Sequence, residues 1–151
     1  MPVKIKGLKK LNKKYKGMLP DARSVFAKEM KKNIVQIILE KIVKGLSPVK
    51  GQNKYPDYSD EYAKKKGGKA PVDLYASGEM LESMFAKQTN KDTIIVEFKG
   101  ARNKKLASIH NRKNGKMPQR KILPKGNEDF KADIMKQITA IYRKALIKVT
   151  K

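Results

Sequence analysis

Residues 93–98 read Thr-Ile-Ile-Val-Glu-Phe, and this run decides the fold class. Ile94, Val96 and Phe98 share one face, while Ile95, Glu97 and Lys99 share the other. That period of two, in β-branched and aromatic residues, is the pattern of a half-buried strand. Upstream, Phe85 to Gln88 reads as its partner across a turn at Thr89–Asp92. Downstream, Leu106 to Asn111 reads as a further strand after a basic loop at Gly100–Lys105. The expectation is a small antiparallel sheet of about three or four strands.

Helical patterns flank the sheet on both sides in sequence. From Pro20 to about Lys44, the residues Phe26, Met30, Ile34, Ile38 and Ile42 recur at helical spacing, joined by Val35, Leu39 and Val43 on the adjoining stripe. Pro20 suits a first helical position, and Gly45 is a natural left-handed stop. A second long helix is predicted from an Asn127 cap to about Val149, with Glu128 and Asp129 in its first turn. Phe130, Ile134, Ile138, Ile141, Ala145 and Val149 would line its inner face. Two short helices are expected in the connection, one capped by Ser59 and reaching Lys66, the other capped by Ser77 and covering Gly78 to Met84. Residues 47–58 and 112–126, rich in Pro and Gly, read as loops. The sum is an α+β domain over residues 20–151, two long helices on a small sheet, preceded by a basic arm at residues 1–19. Ile5, Leu8, Tyr15 and Leu19 suggest a weak helix in that arm.

Composition narrows the function classes. The chain has 151 residues, 37 Lys+Arg, 14 Asp+Glu and no cysteine, for a net charge of +23. The missing cysteines exclude disulfide frameworks, thiolate metal sites and cysteine nucleophiles. The most apolar stretch, Ile34 to Leu39, is interrupted by Gln36 and falls far short of the ~18–20 residues of a membrane span. Nothing resembles a secretory signal, so a soluble protein without membrane partners is expected.

The charge sits in two blocks. Residues 1–20 carry seven lysines and no acid, and residues 99–125 carry ten basic residues and no acid. Such blocks attract polyanions without reading sequence. Only five of the 37 basic residues are arginine, the residue that reads guanine bidentately, so nonspecific contact is expected. Arg112, Lys113, Lys116 and Lys121 are the basic residues expected to face DNA, and a solvated surface is the alternative.

Catalytic constellations are weak. His110 is the only histidine, too little for a histidine-metal nuclease, and no serine and acid are placed with it as a triad. Asp92 with Glu97-Phe98-Lys99 is similar to the carboxylate and Glu-x-Lys strand with which restriction-like nucleases hold magnesium. A strand with charges on its wet face gives the same pattern by chance, and Asp92 falls in a turn. The chain is therefore expected to be no enzyme and to need no metal or cofactor, with a metal-dependent nuclease as the least favoured alternative.

Two segments, Pro71–Ser83 (PVDLYASGEMLES) and Ala107–Pro124 (ASIHNRKNGKMPQRKILP), carry a stronger signal as a pair. An opening IKGLKKL precedes the long amphipathic pattern, and YSDEYAKKKGG precedes the Ser-Gly element Leu74, Ser77, Gly78, Ser83. An Ala-x-Ile-His-Asn segment then runs from Ala107 to Asn111, and a Met-Pro-x-Arg-x-x-Leu-Pro segment from Met117 to Pro124. In this order the chain resembles the tail-completion family of long-tailed bacteriophages, which includes virion-morphogenesis proteins of Mu-like phages. It departs from the family pattern where Gly115 stands later than the usual glycine after His-Asn and where Lys121-Ile122 replaces the usual Phe after Arg120. The resemblance implies a structural protein of the virion neck or tail, assembled in the host cytoplasm as a homo-oligomeric ring, six-fold in expectation. Its implied partners are the head connector and tail-tube or terminator proteins. Ser77, Gly78, His110, Asn111, Pro118 and Arg120 would then lie at partner or subunit interfaces, with Arg120 offering its fork to a neighbouring carboxylate.

Overall fold

The computed structural model describes residues 3–4, 20–68, 72–74, 78–90 and 93–150. Its elements are β1 (Val3–Lys4), α1 (Pro20–Ile42), α2 (Asp60–Lys65), α3 (Glu79–Glu82), β2 (Met84–Asn90), β3 (Thr93–Phe98), α4 (Ala101–Asn111) and α5 (Ala132–Thr150). The architecture is α+β. The helix expected within the basic arm lies outside the described residues, apart from the short β1.

Helix α1 is the shared element, packed on α5 and on the β2–β3 hairpin. Its i, i+4 series Phe26, Met30, Ile34, Ile38 and Ile42 is buried along its length, with Ala27 and Ile37 beside it. Gly45 ends it at φ 72, and the Leu46 amide donates back to the Lys41 carbonyl at 3.0 Å, the six-to-one bond of a left-handed C-terminal cap. Opposite it, α5 buries Ile134, Ile138, Tyr142 and Ala145. Asp133 at the start of α5 pairs with Lys41 at the end of α1, and Lys148 near the end of α5 reaches Glu29 at 3.5 Å, so the two helices run antiparallel.

Strands β2 and β3 pair antiparallel in the register Met84↔Phe98, Ala86↔Val96, Gln88↔Ile94, with an irregularity between Gln88 and Asn90. β1 adds to the other side of β3 through Val3↔Val96, giving the order β1-β3-β2. Met84, Ala86, Ile94, Val96 and Phe98 turn their side chains into the core shared with α1. Ile95, on the opposite face, is buried as well.

Three expectations are corrected. Leu106–Asn111 is no strand but the second half of helix α4, and the expected basic loop at Gly100–Lys105 forms its first half. The reason lies in spacing: Asn103 and Ala107, four apart, are its buried residues, and Ala, Arg, Lys and Leu favour helix where packing is thin. Gly100 at φ 80 makes the sharp entry from β3, and Asn103 Nδ2 donates to the Lys99 carbonyl at 3.1 Å. The final helix begins at Ala132 instead of Asn127, because residues 128–131 are held elsewhere. Phe130 bridges to Val49, the Lys131 amide donates to the Pro48 carbonyl at 2.9 Å, and the Glu128 carboxylate accepts from the Lys125 amide at 3.0 Å. The short helix after the Ser-Gly element runs over Glu79–Glu82, and its cap position is Gly78 at φ 81, a conformation that favours glycine; Ser77 lies outside the described residues. Helix α2 forms as expected behind Ser59, whose Oγ accepts from the Tyr62 amide at 3.4 Å.

Candidate functional site

The irregular segment after α4 carries the site. Residues 117–124 have no ladder of their own, so their backbone groups must find other partners. Polar side chains of residues 46–57 supply many of them. Ser47 Oγ and Tyr55 Oη both donate to the Lys121 carbonyl, at 2.8 and 3.0 Å. Gln52 uses both ends of its amide, donating to the Gln119 carbonyl at 2.8 Å and accepting from the Lys121 amide at 2.7 Å. From the end of α4, Asn111 does the same, donating to the Leu123 carbonyl at 3.2 Å and accepting from the Ile122 amide at 2.8 Å. The Arg120 amide donates to the His110 carbonyl at 2.7 Å. These bonds hold Ile122 and Leu123 in the core as one rigid strap.

Arg120 closes the strap from the other direction. Its side chain is 3 % exposed. Nε and Nη2 donate to the Pro56 carbonyl at 3.2 and 3.1 Å, and Nη2 also donates to the Asp57 carbonyl at 3.0 Å. The guanidinium lies 5.1 Å from the centre of the Tyr58 ring, which also carries Lys66 Nζ at 5.1 Å and meets Tyr62 edge-on at 4.8 Å. This corrects the expectation that Arg120 turns its fork toward a neighbouring subunit. A buried guanidinium needs acceptors, and the carbonyls at Pro56 and Asp57 stand in reach within the same chain.

Above Arg120 lies a cleft of about 590 Å³, lined among others by Tyr58, Tyr62, Leu74, His110, Met117 and Pro118. Leu74 holds a left-handed φ of 57°, and its amide donates to Tyr58 Oη at 3.1 Å. Burial pushes the Tyr58 phenol up, against the pull of Lys66. His110 Nδ1 is buried and has no hydrogen-bond partner. Burial first, and the Arg120 charge second, hold this imidazole below its ordinary value.

The remaining expected site residues separate. Gly78 is buried at the α3 cap, Asn111 clamps the strap, and His110 and Pro118 line the cleft. Arg112, Lys113 and Lys116 are exposed on the tip between α4 and the strap. Lys121 does not join them, because its ammonium pairs with Glu128 and is mostly covered. Of the nuclease candidates, Asp92 lies outside the described residues. Glu97 pairs across the hairpin with Lys87 at 2.6 Å, which holds its carboxyl below the usual range, and Lys99 lies 5.5 Å from the Phe85 ring centre. Among the described residues no group of three acidic or histidine side chains is placed to hold a metal, and no helix is long and apolar enough to cross a membrane.

Sequence reading missed Tyr58 and Tyr62. The available signal was an aromatic pair four residues apart, one in the loop after Pro56 and one in the first turn of the adjoining helix. Comparison with protein-family models, curated proteins and solved structures gave no significant match.

Proposed function

We propose that this chain is a structural, non-enzymatic assembly protein of a bacteriophage virion, a tail-completion or neck component that joins the tail to the head connector as a homo-oligomeric ring. One observation carries the reading. Leu74, from one of the segments on which the family resemblance rests, lies more than thirty residues before His110, Met117, Pro118 and Arg120 from the other two, yet all five line one cleft. Their polar groups hold backbone in place and form no reactive constellation, which suits a docking surface. The finer architecture, a small antiparallel sheet packed by two long helices, belongs to the same proposal. Purified protein added to separated heads and tails should promote their joining, and its loss should leave filled heads beside free tails. Normal infectious particles in its absence would sink the role.

A nonspecific nucleic-acid contact is the second reading, favoured by the exposure of Arg112, Lys113 and Lys116 without an acid among residues 99–125. Neutralising Lys113 and Lys116 should flatten the log–log salt dependence of DNA binding by about 1.8, two phosphate contacts' worth. An unchanged slope would leave these lysines as solvated surface.

A further inference from the structure

The cleft above Arg120 carries more than the strap requires. Its wall is apolar, and that surface continues past the mouth, where Tyr62 and Met117 remain 36 % and 41 % exposed. Tyrosine offers rigid contact area and methionine adapts to what it meets, so both suit a binding rim. The cations Arg120 and Lys116 line the same cleft. The carboxylate beside them, Asp57, is itself 85 % exposed and lies 3.7 Å from Lys54. Two costs are left standing at the site: the left-handed Leu74 backbone and the unpartnered His110 Nδ1. Strain and orphaned polar atoms of this kind gather where a molecule engages a ligand.

We infer that this cleft docks a segment of a partner polypeptide in which a carboxylate stands beside an apolar or aromatic side chain. The apolar group fills the space between Tyr58, Leu74 and Met117, while the carboxylate lies toward Lys116 and His110, with the buried charge of Arg120 behind them. The volume falls within the ~300–1,000 Å³ of ordinary ligand pockets, and the exposed rim extends the contact beyond what a small acid covers. Charge selects the occupant. A chain with 37 basic and 14 acidic residues attracts an acidic partner. A nucleotide fits less well, since the Tyr58 ring already carries Arg120 and Lys66 and stands edge-on to Tyr62, which leaves it poorly placed to stack a base.

Arg120, Lys116, Asp57, Tyr58 and Tyr62 are the charged or titratable groups that share the cleft with His110. An entering carboxylate favours the imidazolium, so binding tightens as the pH falls from 8 toward 6. This inference does not depend on a virion role.

His110 is the only histidine, so its ring protons can be followed by NMR in the full chain without assignment. The probes are capped hexapeptides pairing Asp or Glu with Leu, Phe or Tyr, each with its Asn or Gln twin, and a ten-nucleotide thymidine oligomer. Acidic peptides should move the imidazole signals, raise its titration midpoint and bind about tenfold more tightly than their twins, a difference of about 1.4 kcal/mol. Met117→Glu, on the exposed rim, should weaken them by about tenfold, and Lys113→Gln, outside the cleft, by less than about twofold at physiological salt. The inference falls if no peptide moves the imidazole, if the twins bind equally, if Met117→Glu has no effect, or if the oligomer displaces the peptides. Head–tail joining with a negative panel would overturn the cleft and leave the assembly role; the converse result would do the reverse.

Discussion

Between α1 and α5 the contact is made by Ile34, Ile38, Ile42, Ile134 and Ile138, each fully buried, whereas the strap at residues 117–124 is held by Ser47, Gln52, Tyr55, Asn111 and Arg120 through individual hydrogen bonds. Apolar burial is non-directional and roughly proportional to area, so the helical side tolerates small shifts. A hydrogen bond to a backbone carbonyl fixes one distance and one angle, so the strap side has a single good arrangement. The molecule therefore places its cleft on the half where geometry is most tightly specified. On that half a missing partner leaves a desolvated carbonyl or amide behind.

Truncation in the helical seam should have the largest effect. Tyr142 is fully buried and meets Phe26 edge-on at 5.2 Å, so Tyr142→Ala should cost about 3–5 kcal/mol in urea unfolding. Arg120→Met keeps much of the apolar stem but strands the Pro56 and Asp57 carbonyls, and about 2–3 kcal/mol should be lost. Hydrogen exchange separates the two variants: Arg120→Met should expose amides of residues 117–124 while α1 and α5 stay protected. If exchange rises equally in both halves, the division into two regimes is wrong.

Asn111→Ala removes one donor and one acceptor from the strap and should cost about 1–2 kcal/mol. Asn111→Asp keeps the acceptor for the Ile122 amide and should recover part of that loss. Equal destabilisation by the two would mean that the bond to the Leu123 carbonyl does the holding.

A smaller effect follows from His110, whose folded value lies below the ordinary 6.5 through burial and the Arg120 charge. Above pH 6.5 the ring is neutral in both states and its contribution is fully present. As the pH falls below 6.5 the unfolded chain takes up the proton first, and stability is lost until the lower folded value is passed. His110→Gln should flatten this limb of the stability profile, and an unchanged profile would show that the loss arises elsewhere.

The smallest change is expected from Glu128→Gln. Burial alone would raise this carboxyl, but bonds from the Lys121 ammonium and the Lys125 amide outweigh it and hold it below its ordinary 4.5. Its contribution is present above pH 4.5 and is lost as the pH falls through the depressed folded value. The group is a third exposed, so the variant should cost about 0.5 kcal/mol at neutral pH and remove that acid-sensitive step.

Legibility followed the same boundary between the two halves. The long helices, the hairpin and the Ser59 cap were readable because periodicity and caps are local, set by neighbours within a turn or across one tight connection. Leu106–Asn111 gives a poor local signal because its helix buries only Asn103 and Ala107, so too few apolar positions mark the helical period, and packing on α3 and β3 adds to propensity there. The early residues of the expected final helix had good caps, yet Phe130 is claimed by Val49, distant in sequence.

By itself, then, the sequence determined the α+β class, the helical seam, the hairpin and the two blocks of positive charge, all of which follow from composition and short-range spacing. Tertiary structure alone decided that Arg120 turns inward to Pro56 and Asp57, that Lys121 is held by Glu128, and that Tyr58, Leu74, His110 and Met117 share one cleft. Those outcomes depend on which distant backbone groups lack partners once the chain has folded. Every donor near a strap competes for such groups, and only the closed fold sets which of them comes within 3 Å.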